Sequence, residues 1–298
     1  MRWLAIINPA SGGGKSAKEM DNLISKLAVL TTVIEITEYP GHATEIARRA
    51  KQIDAIAVVG GDGTIYESIN GMDLHKTTLG IIPVGTGNSL AQNLNISYLM
   101  DGLEACRNMS TAIIDLIEVQ FQKQNGDSLR CYSTSTIGLG YPANAVKLGN
   151  RRFKIFGKAC YPISGVVQIF LKNDLDGSFS INGEVRHIEH IKGLFINNTQ
   201  FAGNFRAFPD AKVDDGLFDV MKMSVGPLRQ NIQNLLVLFE QYFYMPSEQF
   251  STDQLHINLE QPQSLMIDGE IYQDVIEVHF RINPKAMRCI HNLVDFVA

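Results

Sequence analysis

Residues 55–64 read Ala-Ile-Ala-Val-Val-Gly-Gly-Asp-Gly-Thr, an apolar run that ends in glycines and a carboxylate. A short apolar run bounded by glycine is typical of a strand buried on both faces of a parallel sheet. Consecutive glycines let backbone N–H groups approach an anion closely. Thr64 can cap a following helix, whose N-terminus favours negative charge. The stretch therefore predicts a strand, a phosphate-binding loop and a helix; a tight turn with an Asp cap is the structural alternative.

The succession of strand and helix recurs through the first third of the chain. Similar apolar runs predict strands at Leu4–Ile7, Val33–Ile36, Ala55–Val59 and Leu79–Ile82. Apolar residues at helical spacing, with flanking signals, predict helices at Ser16–Leu27, Thr44–Ala50 and Thr64–Asn70. Alternating strands and helices indicate an α/β domain with an open parallel sheet.

Beyond about residue 111 the chain changes to β-type runs separated by turn residues. These runs predict an antiparallel β-sandwich domain; they cover Ile113–Phe121, Leu129–Ile137, Phe179–Ile181, Ile188–Ile196, Leu217–Met223, Gln254–Leu259 and Val275–Ile282. Two further helices are predicted at Phe156–Leu171 and Leu228–Phe243. We expect an α/β domain over residues 1–120 and a β-sandwich domain over 121–284, with the tail at 285–298 packing back on the first.

Composition limits the classes of partner and compartment. The net charge of −5 gives no general attraction to nucleic acid, so no nucleic-acid partner is expected. The four cysteines include no Cys-x-x-Cys pair, which favours buried thiols in a reducing cytoplasm. The apolar stretch at 235–245 is too short to cross a bilayer. A soluble protein is expected, and composition leaves open whether it forms a homodimer.

Two other glycine-bearing loops follow predicted strands. The first, Pro83-Val84-Gly85-Thr86-Gly87-Asn88-Ser89, offers backbone, hydroxyl and amide donors, although a helix cap at Asn88 or Ser89 is an alternative. The second, Asn8 to Ser16, contains Gly14-Lys15-Ser16 but has Pro9 where a P-loop requires glycine. Proline has no N–H to offer a phosphate, so the P-loop match fails. Because ligands bind at the carboxyl ends of the strands in open α/β sheets, the three loops predict one shared site.

Asp62 adds a requirement for a cation to this site. A carboxylate beside a polyphosphate is repelled unless a divalent ion lies between them. Asp62 therefore predicts Mg²⁺, held directly or through water.

The order of these motifs resembles the diacylglycerol kinase catalytic family, which includes bacterial diacylglycerol and related lipid kinases and the sphingosine kinases. The resemblance rests on Asn8-Pro9-x-Ser11-Gly12, Gly60 to Thr64, Pro83-x-Gly85-Thr86-Gly87-Asn88 and Asp268-Gly269-Glu270, and it spans nearly the whole chain. It implies a phosphofructokinase- or NAD kinase-like parallel sheet in the first domain and a β-sandwich in the second.

The resemblance also implies roles for individual residues. Contacts to ATP fall on Asn8, Pro9, Ala10, Ser11, Gly12, Thr44, Gly60, Gly61, Asp62, Gly63, Thr64, Ile65, Tyr66, Glu67, Gly85, Thr86, Gly87 and Asn88. Glu270 is expected to be the general base for the acceptor hydroxyl, with Asp62 and Asp268 as further catalytic residues. A structural Mg²⁺ is expected on the Lys212 and Leu217 carbonyls and the Asp215 carboxylate. Without the resemblance, a turn acid of a β-hairpin is the favoured interpretation of Glu270.

The expected function is transfer of the γ-phosphoryl group of ATP to a lipid hydroxyl, with diacylglycerol the first choice of acceptor. Bacterial members usually carry Asp where this chain has Ser89, a change that removes a charge near the metal or marks a different substrate. An NAD kinase-like or other small-molecule kinase, and a catalytically silent nucleotide-binding protein, remain as alternatives.

A cluster of cations suggests how the protein reaches a lipid. Basic residues alternate with apolar ones in this segment; they are Lys147, Arg151, Arg152, Lys154 and Lys158. Such a segment can dock on an anionic membrane surface, or it can be an ordinary solvated helix face. The docking alternative predicts a cytoplasmic protein that associates peripherally with the membrane during turnover.

Overall fold

The computed structural model describes residues 1–13, 20–29, 33–85, 87–149, 174–181, 183–202, 205–224 and 247–292. The chain divides into two compact units: residues 1–116 with the segment that begins at Pro284 form the first, and Ile117–Asn283 form the second. The predicted helices at 156–171 and 228–243 lie outside the described residues.

A parallel sheet forms the centre of the first unit. Its strands, in chain order, are β1 (Trp3–Ile7), β2 (Val33–Ile36), β3 (Ala55–Gly60) and β4 (Thr78–Pro83). They lie in the order β2-β1-β3-β4, and all three pairings are parallel. Every residue of β1, β3 and β4 is buried, as the continuous apolar runs predict for strands covered on both faces.

Helices follow these strands as the α/β pattern requires. They are α1 (Met20–Leu27), α2 (His42–Arg49), α3 (Asp62–Ile69), α4 (Ser89–Asn93) and α5 (Leu99–Asn108). Both α2 and α3 begin two residues before their predicted starts. Gly41 and Gly61 occupy the N-cap positions, and Gly41 has a φ of 88°, which only glycine adopts readily.

The second unit consists mostly of antiparallel strands. They are β5 (Thr111–Lys123, which starts in the first unit), β6 (Ser128–Ser133), β7 (Thr136–Gly140), β8 (Leu175–Ile181), β9 (Glu184–Asn197), β10 (Phe201–Ala202), β11 (Phe205–Arg206), β12 (Phe218–Ser224), β13 (Ser247–Thr252), β14 (Gln254–Ile267) and β15 (Glu270–Ile290, which ends in the first unit). A short helix, α6 (Tyr141–Leu148), follows β7.

Two long strands of this unit divide their pairing between different neighbours. The first half of β14 pairs with β8 and its last residues pair with β7, with irregular register between Asn258 and Leu265. Strand β9 divides in the same way between β8 and β7. Long strands that bend at an irregular register and change partners occur in β-sandwiches. The predicted fold class, an α/β domain followed by an antiparallel β domain, is confirmed.

The single strand predicted at Leu129–Ile137 is wrong. The chain forms β6 and β7 instead, separated at Thr134 and Ser135. The backbone N–H groups of Thr134, Ser135 and Thr136 donate to the carboxylate of Asp268. This distant acceptor replaces a neighbouring strand as their hydrogen-bond partner, so the break satisfies the buried backbone groups.

Candidate active site

The carboxyl ends of β1, β3 and β4 lie side by side in the first unit. Ile7 pairs with Val59, and Gly60 pairs with Pro83, so the loops that follow these three strands start at one edge of the sheet. The backbone N–H of Asn8 donates to Val59 O at 3.0 Å, and that of Val84 donates to Gly60 O at 3.0 Å. The three glycine-bearing loops therefore leave the sheet together, as the sequence predicts.

Two of these loops touch through glycine backbone. A Cβ built on Gly85 would lie 2.6 Å from the Cα of Gly61, and a Cβ built on Gly61 would lie 3.0 Å from the Cα of Gly85. Because real Cβ contacts are longer, neither position accepts a side chain without moving the other loop. The glycines thus set the spacing of the loops in addition to exposing their backbone.

A polar pair joins the loop after β1 to helix α3. The Nδ2 of Asn8 donates to the Oγ1 of Thr64 at 2.9 Å, and Asn8 Oδ1 accepts from the backbone N–H of Ala10 at 3.0 Å. Thr64 is buried. Both residues lie at the loop edge, and their hydrogen bonds hold the first loop against the second.

Asp62 connects the second loop to the third. Its Oδ1 accepts a 2.7 Å hydrogen bond from the backbone N–H of Ser89, the first residue of α4. A carboxylate at the N-terminus of a helix is favoured by the partial positive charge there. Ser89, where the related sequences usually carry Asp, is thus in direct contact with the acid predicted to lie near a metal.

The loop before α2 is attached to α3 by Glu67. The two carboxylate oxygens of Glu67 accept from the backbone N–H groups of Gly41, at 2.8 Å, and Ala43, at 3.1 Å. The Thr44 hydroxyl donates to the Glu67 carbonyl at 2.8 Å. The structure therefore brings the predicted residues Thr44 and Glu67 together. The Glu67 carboxylate accepts hydrogen bonds from this loop and holds it in position.

Asn88 carries an acceptor that a ligand could use. Its backbone is left-handed, with a φ of 53°, and its Nδ2 donates to Gly85 O at 2.9 Å. Its Oδ1 is buried and has no hydrogen-bond partner among the described residues. An unpaired buried acceptor is costly, and a cation, a water or a sugar hydroxyl would satisfy it. The neighbouring Thr86, also predicted to bind, lies outside the described residues.

Two predicted nucleotide contacts do not reach the loop edge. Ile65 and Tyr66 have only 1% and 6% of their surface exposed and belong to the core beneath α3. The backbone N–H of Ile65 already donates to Gly61 O. A helix turns one face to the core every three to four residues, so a contiguous motif necessarily includes such core positions. Both side chains pack in the core, and their contact with ATP stays a prediction.

In the second unit, Asp268 and Gly269 form a two-residue hairpin turn between β14 and β15. Ile267 pairs with Glu270, and the turn residues have φ values of 48° and 95°. Positive φ at both central residues identifies a type I′ turn, for which Asp-Gly is a preferred sequence. Glu270 is exposed at the start of β15, where a solvent-facing carboxylate can meet a substrate.

Asp268 faces inward beneath this turn. Its carboxylate accepts from the Ser133 hydroxyl at 2.8 Å, from Thr134 N and Oγ1 at 2.8 and 3.2 Å, and from Ser135 N and Thr136 N at 3.2 and 2.9 Å. Burial raises the pKa of the Asp268 carboxyl, and these hydrogen bonds oppose the rise. With five donors on its two oxygens, Asp268 positions the turn, and its catalytic role stays a prediction.

Sequence reasoning missed the segment that supports the turn. Residues 133–136 read Ser-Thr-Ser-Thr, an unusual run of hydroxyl residues within an otherwise β-type stretch. Ser133, Thr134 and Ser135 are buried. Such a run in a buried position signals hydrogen bonding to a polar group elsewhere in the chain.

The loop predicted to hold a structural Mg²⁺ concentrates carboxylates. Asp215 Oδ1 accepts from the Leu217 backbone N–H at 3.1 Å, and Lys212 is exposed. Burial raises the pKa of the nearby Asp219 carboxyl, and the charges of Asp215 and Asp210 raise it further, while the Ser251 hydrogen bond opposes them. Carboxylates that raise the pKa of a neighbouring acid in this way fit an oxygen-preferring cation.

The cationic cluster falls mostly beyond the described chain. Arg151, Arg152, Lys154 and Lys158 lie outside the described residues, whereas Lys147 in α6 donates to Gln273 Oε1 at 2.7 Å. Among the residues that the structure covers, no helix combines the length and the apolar character needed to cross a bilayer.

Family models match both parts of the chain. Residues 2–120 match the diacylglycerol kinase catalytic domain, and residues 135–291 match the YegS C-terminal NAD kinase beta sandwich-like domain. The chain is 26% identical to a diacylglycerol kinase of Bacillus subtilis (strain 168) over 274 residues, which cover 89% of this chain and 88% of that protein. It is 29% identical to a diacylglycerol kinase of Staphylococcus haemolyticus over 223 residues, covering 72% and 65% of the two chains.

Solved structures share the fold. A crystal structure from Bacillus anthracis (strain Sterne) superposes with a TM-score of 0.78 at 20% identity, covering 98% of this chain and 95% of that one. A second, of a diacylglycerol kinase from the same strain, has a TM-score of 0.69 at 19% identity, with 98% and 97% covered. At these identities the likeness concerns the fold.

Proposed function

The chain belongs to the family of kinases that join a diacylglycerol kinase catalytic domain to a YegS-type β-sandwich, and we propose that it transfers the γ-phosphoryl group of ATP to a lipid hydroxyl. Diacylglycerol is the proposed acceptor, because the two relatives described above are diacylglycerol kinases. An NAD kinase-like activity and silent nucleotide binding are the alternatives that the experiment below separates.

The main support for the proposal is that the three glycine-bearing loops meet at one edge of the sheet. Phosphoryl transfer depends on alignment and on neutralising charge, with little covalent help from the protein. The Gly61–Gly85 contact and the Asn8–Thr64 hydrogen bond fix the loops before any ligand arrives. A preformed set of backbone donors loses little entropy on binding, which favours a polyphosphate at this edge.

The donor set at this edge also suits Mg²⁺. Asp62 and the buried Oδ1 of Asn88 are oxygen donors, the type that Mg²⁺ prefers. When bound, the ion neutralises phosphate charge. The hydrogen bond from Ser89 N holds Asp62 Oδ1 toward α4, so the carboxylate is oriented before metal or nucleotide binds.

Glu270 is the proposed general base. It would accept the proton of the acceptor hydroxyl as the oxygen attacks the γ-phosphorus, at a hydrogen-bond distance of roughly 2.6–3.2 Å in the productive complex. Its exposure at a hairpin whose turn is held by Asp268 suits a group that must meet a substrate.

For delivery of the lipid substrate, we propose peripheral docking on an anionic membrane through the cationic segment from Lys147 to Lys158. Sedimentation of the protein with anionic vesicles tests this docking.

The testing experiment offers radiolabelled ATP with diacylglycerol, sphingosine or NAD in parallel. We expect labelled phosphatidic acid from diacylglycerol. Glu270→Gln should lower turnover by about 10²–10⁴-fold, the usual contribution of a general base. Asp62→Ala should abolish turnover. Glu260→Gln, at another exposed strand position of the second unit, is the matched control and should retain activity.

Three outcomes would contradict parts of the proposal. Label on NAD alone would make the chain a small-molecule kinase. ATP binding without transfer to any acceptor would make it a silent nucleotide-binding protein. Normal turnover by Glu270→Gln would remove Glu270 from the role of base.

A further inference from the structure

Two histidines and a glutamate meet on the surface of the second unit, on residues that the proposed kinase reaction does not use. His256 lies on β14, and Glu277 and His279 lie on β15. His256 pairs directly with His279 across the two strands. Glu277 is two residues from His279, so its side chain is on the same face of the sheet. Three side chains from two neighbouring strands therefore share one small area.

Their ligand atoms converge. The Nε2 of His256 lies 2.8 Å from Glu277 Oε1, and the Nε2 of His279 lies 3.2 Å from the same oxygen. The two imidazole rings are stacked, with centroids 3.7 Å apart and planes 11° from parallel. All three ligand atoms lie within 4.8 Å of one another. In a tetrahedral zinc site with bonds of about 2.1 Å, ligand atoms are roughly 3.4 Å apart. Metal binding therefore requires the two stacked rings to rotate until both Nε2 lone pairs point at one ion.

The surroundings leave room for an ion and for a further ligand. The histidines line an open cavity of about 330 Å³, with Glu118 and Arg281 also on its wall. The side chains of His256, Glu277 and His279 are 30%, 32% and 53% exposed, so solvent reaches them. Glu118 is paired with Arg130 at 2.6 Å, and the charge of Arg281 also acts on Glu118. The cation Arg281 thus has an anionic neighbour on the cavity wall.

We propose that His256, Glu277 and His279 form a binding site for Zn²⁺, with the fourth position open to solvent. Two neutral imidazoles and one carboxylate are a common zinc ligand set when one position remains for water. Imidazole nitrogen favours zinc and other late transition metals over Mg²⁺ and Ca²⁺, which take oxygen ligands. The site is separate from the oxygen-donor sites proposed for Mg²⁺.

The arrangement without metal supports this assignment. The Nε2 atoms of His256 and His279 both hydrogen-bond to Glu277 Oε1, so the three ligand atoms already face one another. Each histidine directs Nε2 at the shared point, which leaves Nδ1 to carry the proton when a metal binds. Zinc would then link β14 to β15 and stabilise their pairing.

Titration of the chelator-treated full chain with Zn²⁺ alone, followed by calorimetry, tests the site. We expect saturable binding of one ion with these ligands and no comparable binding of Mg²⁺ there. Loss of a residue that merely orients a metal ligand weakens metal binding by about 10- to 100-fold. Loss of a ligand should therefore weaken it at least tenfold, in His256→Gln, Glu277→Gln and His279→Gln alike. His187→Gln changes an exposed strand histidine of the same unit and should bind as the parent does.

Thermal unfolding provides a second measurement on the same proteins. Zn²⁺ should raise the Tm of the parent chain and of His187→Gln, since a ligand that binds only the folded state stabilises it. The Tm of His279→Gln should not change when Zn²⁺ is added. His279 is the most exposed of the three, so its variant is expected to keep the parent's Tm without metal. Absence of zinc binding, or binding that the three substitutions do not weaken, would overturn the proposal and leave a hydrogen-bonded cluster only.

Discussion

Gly61 and Gly85 meet backbone to backbone, so closely that a methyl group on Gly85 would come within 2.6 Å of the Gly61 Cα. The two residues belong to loops that leave neighbouring strands, β3 and β4, at the same edge of the sheet. Their contact converts two flexible segments into one surface of fixed shape. The ability of this edge to hold a phosphate chain thus depends on the absence of two side chains.

Gly85→Ala should separate these loops. Overpacking of this kind costs about 1–3 kcal/mol of stability, and displacement of a reacting group by about 1 Å can cost about 10²-fold in rate. We expect a lower Tm and a kcat/KM for ATP reduced by about that factor. The control is Gly126→Ala, at a left-handed turn of the second unit with no atom within 4 Å of the added methyl. Equal loss of activity in both variants would show that the loop contact is not responsible for the effect.

Thr64→Val should break the bond between the first and second loops. The Nδ2 of Asn8 then loses its acceptor, and loss of such a hydrogen bond costs about 1 kcal/mol. Thr64→Ser keeps an acceptor and should retain more of the stability. In denaturant unfolding, Asn8→Ala combined with Thr64→Val should cost less than the sum of the two, because both remove the same bond. Strict additivity would contradict a direct coupling.

Asp268→Asn should loosen the hairpin that presents Glu270. An amide replaces one acceptor oxygen with donors that face the N–H and O–H groups of residues 133–136, and each unsatisfied buried group costs about 1–3 kcal/mol. We expect reduced stability and reduced kcat, whereas Glu270→Gln should lose kcat with an unchanged Tm. Asp127→Asn, at an exposed turn of the same unit, is the control. Normal stability of Asp268→Asn would show that the carboxylate charge is not needed there.

Mg²⁺ should stabilise the protein through the loop at Lys212–Leu217. Removal of divalent ions leaves Asp210, Asp215 and Asp219 repelling one another, so we expect a lower Tm with chelator and recovery with Mg²⁺. Asp215→Asn should abolish most of the recovery. Asp214→Asn makes the same change of charge on the neighbouring exposed residue and should retain it. If both variants lose the recovery equally, the effect of Mg²⁺ is diffuse screening and not coordination.

Much of the first unit follows from local sequence. Runs such as Ala55–Val59 are too apolar for any position but a buried strand, and a helix must follow each strand for parallel neighbours to pair. The loops at Gly60–Thr64 and Gly85–Asn88 could therefore be assigned to one edge of the sheet in advance. The Asp268-Gly269 hairpin turn could likewise be predicted from the sequence, since few other residue pairs adopt two positive φ values.

The roles of several side chains depend on partners far away in the chain, which no local pattern contains. Asp268 became a positioning residue because its donors come from residues 133–136. Ile65 and Tyr66 proved to be core because helix α3 turns that face inward. His256 and His279, 23 positions apart, meet only through strand register, and register shifted by one residue would place them on opposite faces. For most elements of the first unit, sequence alone determined which elements form and where the backbone is bare; long-range pairing, set by burial of whole faces, decided which side chains meet.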